Sequence, residues 1–199
     1  ADKLQTAERY KQDFPDLIDY DKNIAALKEV QPAPIKASDI AVRIGTSWID
    51  KEIYKEFFCQ LIDMPYYMRD GIELYYNKHD SSWRVDRTTS YAKNYRSMKI
   101  TNVYGTSRAN AYRLFEDCLN QRFTQIYDTV LDEDGREKRV LNQSETVAAR
   151  EKQNKIKEAF KDWIFTSPVR RDELETIYNR LFNQIRLPKY DGSYLKFPE

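Results

Sequence analysis

Two long amphipathic helices follow one another directly over residues 142–185, and no other feature narrows the fold of this chain as much. Asn142 with Glu145 three residues later has the spacing of a capping box, in which side chains satisfy N–H groups that a first helical turn leaves open. A helix running from there to about Phe165 puts Ile156, Ala159, Phe160, Trp163 and Ile164 on one apolar stripe. Ser167-Pro168 then caps and starts the next helix, because proline's fixed φ suits the first helical position. In that helix Leu174, Ile177, Tyr178, Leu181, Phe182 and Ile185 keep the i, i+3, i+4, i+7 spacing without exception. So short a connection predicts a helical hairpin. Beyond it, residues 187–195 read as an extended exit containing a turn at Asp191-Gly192.

Upstream the pattern is more mixed. Residues 2–20 show no firm periodicity, and a short helix is expected over 20–30, closed by Gln31-Pro32-Ala33-Pro34. Ser38 is a candidate cap for a helix over 39–44 with Gly45 as its left-handed stop, and Asp50 caps a clearer helix to about Asp63. From Pro65 the pattern turns to β: strands over 72–76 and 83–85 across a turn-rich 77–82, and a further strand over 95–103. Gly105-Thr106 opens a helix to about Asn120. A second hairpin over 123–131 and 136–141 turns at Asp132-Glu133-Asp134-Gly135. The expected class is α+β: mostly helical, with two β-hairpins or a small antiparallel sheet and a C-terminal long helical hairpin. The chain reads as one domain over 1–199, subdividing at 1–66, 67–141 and 142–199.

Composition sets limits on function. Hydrophobic residues at 41% and charged residues at 33%, with 5 Gly and 7 Pro, describe an ordered chain rather than a linker. Cys59 and Cys118 lie on apolar faces far apart in sequence. Without a Cys-x-x-Cys pair and with His79 as the single histidine, a zinc site has no ligand set. The cysteines read as small buried hydrophobes of a reducing compartment, so the expected location is cytoplasmic. No apolar run approaches the ~20 residues of a membrane span. Ala1 and Glu199 read as cut points within a longer protein.

Catalytic candidates fall away in turn. Thr129-Val130-Leu131-Asp132-Glu133 has the look of a magnesium-holding strand, but no Gly-rich phosphate loop accompanies it and Asp134-Gly135 makes those acids a turn. His79 lies among Asn77, Lys78, Asp80 and Ser81 and reads as a solvated loop residue. The Asp/Asn-Pro-Pro-aromatic motif of amino-methyltransferases is absent. The expectation is therefore a fragment with no catalytic residue, cofactor or metal.

Charge distribution carries more than the net charge of +1. Between residues 84 and 113 stand Arg84, Arg87, Lys93, Arg96, Lys99, Arg108 and Arg113 against Asp86 alone, interleaved with Tyr91, Tyr95, Tyr104 and Tyr112. Cations for phosphates and rings for stacking are the ingredients of a nucleic-acid surface, and DNA is the expected partner. Arg150, Lys152, Lys155 and Lys157 follow on the long helix, mixed there with Glu151 and Glu158. The alternative reading of the 84–113 stretch is an internal docking surface for the rest of a larger protein.

Several runs carry a family resemblance. They are Val140-Leu141-Asn142, Glu145-Thr146, Ala149, Lys152-Gln153, Phe160, Trp163-Ile164, Arg170-Arg171, Tyr178-Asn179, Phe182-Asn183 and Tyr190-Asp191-Gly192-Ser193 with Leu195 and Phe197-Pro198. Together they resemble the stretch just upstream of the helicase motor in very large mobile-element proteins of bacteria. Those proteins join an adenine-specific DNA methyltransferase-like region to a Swi/Snf-type superfamily II helicase. Asn23, Leu27, Gln31-Pro32, Ser38-Asp39-Ile40, Val42-Arg43-Ile44-Gly45 and Trp48-Ile49 look like that family's lead-in, and Tyr104-Gly105-Thr106 and Leu119-Asn120 its middle. The resemblance implies an accessory domain connecting two catalytic modules. It transfers no catalytic residue, because the motor's adenine-recognition motif and phosphate loop are not in this chain.

Overall fold

A computed structural model of the chain describes residues 2–14, 20–131 and 135–184. The expected turn at 132–134 and the exit at 187–195 lie outside the described residues. The fold is α+β. Its helices are α1 (Asp2–Asp13), α2 (Tyr20–Glu29), α3 (Lys51–Leu61), α4 (Ser90–Asn94), α5 (Ala111–Leu119), α6 (Gln143–Ile164) and α7 (Pro168–Phe182). The strands β1 (Ile72–Asn77) and β2 (Ser82–Arg87) form one antiparallel pair, and β3 (Tyr127–Leu131) and β4 (Glu137–Leu141) another. No helix among the described residues is long and apolar enough to cross a membrane.

Helix starts follow short polar side chains. Asp50 accepts from the Glu52 N–H at 2.8 Å, Asn110 from Arg113 at 3.1 Å and Asn142 from Glu145 at 3.0 Å, each cap stabilising its helix by about 1 kcal/mol. Only one half of the capping box forms at α6: the Asn142 N–H donates instead to Ile126 O, tying α6 to the chain before β3.

Three expectations change. Residues 95–103 are not a strand. After α4 the chain makes a π turn (Lys99–Val103) closed by the Tyr104 N–H on Lys99 O, anchored by buried Ile100. Its β-branched residues suit a strand, but the backbone finds its acceptor locally. Residues 40–44 are extended, not helical, with Ile40, Val42 and Ile44 buried at every second position. Gly45 does take the left-handed conformation, with φ +87°. The helix expected from Gly105 begins at Ala111. Before it, Thr106 Oγ1 accepts from the N–H groups of Arg108 and Ala109 and holds a turn. α1 and α4 were not expected from the sequence.

Backbone contacts divide the chain into two units, residues 1–40 with those from Asp172 on, and residues 41–171. In the first unit, α7 grips an extended segment through polar side chains one turn apart. Asn183 Nδ2 donates to Ala33 O, Asn179 both donates to and accepts from the Ile35 peptide, and Glu175 Oε1 accepts from the Ala37 N–H, all at 2.8 Å. Four helical residues rise about 6 Å and two extended residues advance about 6.6 Å, so the two spacings match.

The second unit repeats this device on α5 and uses a wider-spaced form of it on α6. α5 lies along β2, where Glu116 Oε2 accepts from the Val85 N–H at 2.8 Å and Asn120 pairs with both polar groups of Trp83. On α6, Gln153 donates to Arg122 O at 2.9 Å and accepts from the Thr124 N–H at 3.1 Å, while Thr146 Oγ1 accepts from the Ile126 N–H. The core of this unit is aromatic. Phe58 stacks on Phe115 at 4.3 Å, Phe57 meets Phe160 edge-on at 5.1 Å, and Tyr54 meets Trp83 edge-on at 5.2 Å. Each such pair contributes about 0.5–1.5 kcal/mol beyond the area it buries.

Candidate nucleic-acid interface

The β2 strand divides the basic stretch at its start. Side chains alternate along a strand, so Trp83, Val85 and Arg87 share one face while Arg84 and Asp86 share the other. Arg84 Nε donates to Asp86 Oδ1 at 3.0 Å, a mostly exposed pair. Arg87 lies with its guanidinium 4.8 Å from the centre of the Tyr112 ring.

Thr89 begins α4 by accepting from the Ala92 N–H, and the short helix carries exposed Tyr91 and Lys93. Its end is where the cations meet. Arg96 Nη1 donates to Lys93 O at 3.0 Å and to Tyr95 O at 3.2 Å, and Arg87 Nη1 reaches the same Lys93 O at 3.5 Å. Two guanidiniums thus converge on one carbonyl oxygen, where the negative end of the helix favours them. Among the described residues no carboxylate pairs with Arg87, Lys93, Arg96 or Arg113. Beneath Arg87, burial pushes the Tyr112 hydroxyl up to about 12, and that hydroxyl finds no hydrogen-bond partner among the described residues.

The remaining cations are engaged elsewhere. Lys99 Nζ pairs with Asp63 Oδ2 at 2.8 Å, beside the Tyr95 hydroxyl, which donates to Asp63 O at 2.7 Å. Arg108 pairs with Asp128 Oδ1 and donates to Tyr127 O, both at 3.0 Å, which ties the turn before α5 to β3. Arg113 donates to Gln125 O at 3.4 Å. The structure therefore gathers Arg87, Lys93, Arg96, Tyr91 and Tyr95 around α4, and sets Arg84, Arg108 and Arg113 apart from them.

Sequence reasoning missed the neighbour of α4. The 3₁₀ turn Tyr66–Gly71 packs against it and exposes Tyr66 and Tyr67 at 84% and 77%, with the Arg69 guanidinium 5.9 Å from the Tyr66 ring. The adjacent tyrosines after Pro65 were the available signal. Gly71 is forced by this packing, since a Cβ there would lie 2.2 Å from Thr89 Oγ1.

Neither buried thiol has the setting of a nucleophile. Burial raises Cys59 to about 11 and Cys118 to about 12, and Cys118 Sγ donates to Gln153 O. His79 sits in the exposed turn between β1 and β2, where its N–H donates to Asn77 Oδ1.

Comparison with known proteins adds one match. Residues 43–184 match a family model described as a domain of unknown function (DUF8437). No curated protein and no solved structure matches the chain.

Proposed function

Because the chain belongs to the DUF8437 family, whose description assigns no activity, we propose its role from the geometry: a non-catalytic accessory domain that contacts DNA through the α4 face. The observation that carries this reading is the convergence of Arg87 and Arg96 on Lys93 O with no carboxylate between them. Like charges held together repel, and a phosphate that enters between two guanidiniums relieves the repulsion while accepting charge-assisted hydrogen bonds. Exposed Tyr66, Tyr67 and Tyr91 on the two adjoining elements supply ring faces for bases or sugars. The resemblance to the region upstream of a Swi/Snf-type helicase motor makes a larger DNA-processing protein, with a methyltransferase-like partner region, the proposed setting.

The test is a titration of labelled oligonucleotide at several salt concentrations with wild type and the Arg87→Gln/Arg96→Gln double variant. Wild type should bind at low salt and weaken steeply as salt rises. The double variant should lower the salt slope by about 2, one per lost phosphate contact. No binding at low salt, or an unchanged slope in the variant, refutes DNA contact by this face.

A second reading has its own support: Arg84, Lys99 and Arg108 already pair with the chain's own carboxylates, as cations in a packing surface do. On that reading the domain is a structural spacer whose basic stretch docks onto neighbouring modules. Crosslinks from Lys93 to another module of the parent protein, with none to DNA, would favour it.

A further inference from the structure

Phe123 is an exposed ring of the second unit carried on a firmly held backbone. It precedes β3 and is 64% exposed, yet the peptide groups on both sides of it are pinned. Gln153, only 1% exposed, donates to Arg122 O and accepts from the Thr124 N–H, so its buried carboxamide closes around the Phe123 residue. Thr124 Oγ1 adds a 2.6 Å bond to Asp117. A backbone fixed this way presents its ring at little ordering cost when something binds.

Two cations lie over that ring. The Arg150 guanidinium lies 5.2 Å and the Lys157 ammonium 5.5 Å from its centre. Arg150, Gln153 and Lys157 stand at i, i+3 and i+7 on α6, so one helical stripe provides both the clamp and the charges. Neither cation pairs with a carboxylate among the described residues. Glu151, Glu158 and Asp162 of α6 line a separate groove with Val103, Tyr104 and Lys155.

We infer that Phe123, Arg150 and Lys157 form a binding site for single-stranded nucleic acid, with an unstacked base against the ring and its flanking phosphates on the two cations. The inference rests on the proposed nucleic-acid role of this unit and adds the strand state. A duplex keeps its base faces stacked and offers Phe123 nothing, whereas a single strand offers a ring face at every nucleotide. Charge complementarity selects a polyanion, and the exposed ring selects one that carries aromatic faces.

The experiment measures binding of oligothymidylate and of a duplex of equal length to wild type, Phe123→Ala, Phe123→Trp and Arg150→Gln/Lys157→Gln, with polyglutamate as competitor. Phe123→Ala should lose about tenfold in affinity for the single strand and leave duplex binding unchanged. Phe123→Trp should retain affinity and show emission quenched on binding. Arg150→Gln/Lys157→Gln should flatten the salt dependence for the single strand. Thermal melts of the variants matching wild type separate these effects from misfolding. The inference is overturned if Phe123→Ala binds oligothymidylate as wild type does while Arg87→Gln/Arg96→Gln weakens binding, a result that spares the α4 face. Competition by polyglutamate as effective as by oligothymidylate also overturns it, and assigns the patch to an acidic protein. Absence of any nucleic-acid binding removes both proposals together.

Discussion

The side-chain amide of Asn120 closes a ring of two hydrogen bonds with the peptide of Trp83, accepting from its N–H at 2.7 Å and donating to its carbonyl at 2.8 Å. With Glu116 one turn earlier on Val85, it gives the free edge of β2 the partner that a third strand would supply. Asn120→Ala leaves the Trp83 peptide groups without these bonds and should destabilise the protein by about 2–3 kcal/mol. Amide exchange would show the effect locally: the Trp83 N–H should exchange faster in Asn120→Ala, and the Val85 N–H in Glu116→Ala. If those two amides kept wild-type protection, helix side chains would not be what protects the strand.

Arg170 makes a comparable closure at the end of α6. Its guanidinium lies 3.5 Å from the centre of a Trp163 ring, donates to Ile164 O at 2.8 Å and Trp163 O at 2.7 Å, and pairs with Glu56 at 3.6 Å. These contacts use the planar fork of arginine, which lysine lacks. Arg170→Lys should therefore lose about 2–3 kcal/mol in urea unfolding, nearly as much as Arg170→Ala. A lysine variant as stable as wild type would reduce the interaction to charge alone.

Alkaline pH should unfold the protein earlier than its net charge suggests. Burial raises Tyr54 and Tyr112 from 10.0 to about 12, Cys59 from 9.0 to about 11 and Cys118 from 9.0 to about 12. Each group holds its proton more tightly folded than unfolded, so the unfolded chain ionises first as pH rises. The stability these protons contribute is complete below about pH 9 and disappears progressively towards pH 12. Melting temperatures across neutral to alkaline pH should stay level and then fall steeply above about pH 9. A level profile to pH 11 would contradict the burial of these four groups.

How much of this was legible in the sequence depended on the range of the interaction involved. The spans of α6 and α7 could be read because apolar spacing and helix starts such as Asn142 and Pro168 act within a few residues. Of the expected α7 stripe, however, only Leu174 is buried among the described residues, while Leu181 and Phe182 are exposed. α1 could not, because Asp2–Asp13 has little apolar stripe beyond Leu4, Ala7 and Tyr10. Residues 95–103 misled because Ile100, Thr101 and Val103 favour strands while a local π turn took their backbone. For the candidate interface, the density of cations was visible but their engagement was not. Asp63 and Asp128, which bind Lys99 and Arg108, lie outside the basic stretch. Nothing near Phe123 in the sequence showed how it is held, since Gln153, which clamps its flanking peptides, belongs to a helix thirty residues on.

Gly45 separates two kinds of close approach at one residue. Its carbonyl accepts from the Trp83 indole N–H at 2.9 Å, and its Cα faces the end of α5 so closely that a Cβ would lie 2.0 Å from Leu119 O. Its φ of +87° adds strain for any residue with a side chain. Gly45→Ala must therefore displace backbone against backbone, and should cost more than about 3 kcal/mol or prevent folding. Trp83→Phe removes the indole donor while keeping a ring against Tyr54, and should cost about 1–3 kcal/mol. Urea midpoints for the two variants should rank in that order. A Gly45→Ala protein as stable as Trp83→Phe would mean that the 41–45 segment can move away from α5 at no more cost than losing the indole hydrogen bond.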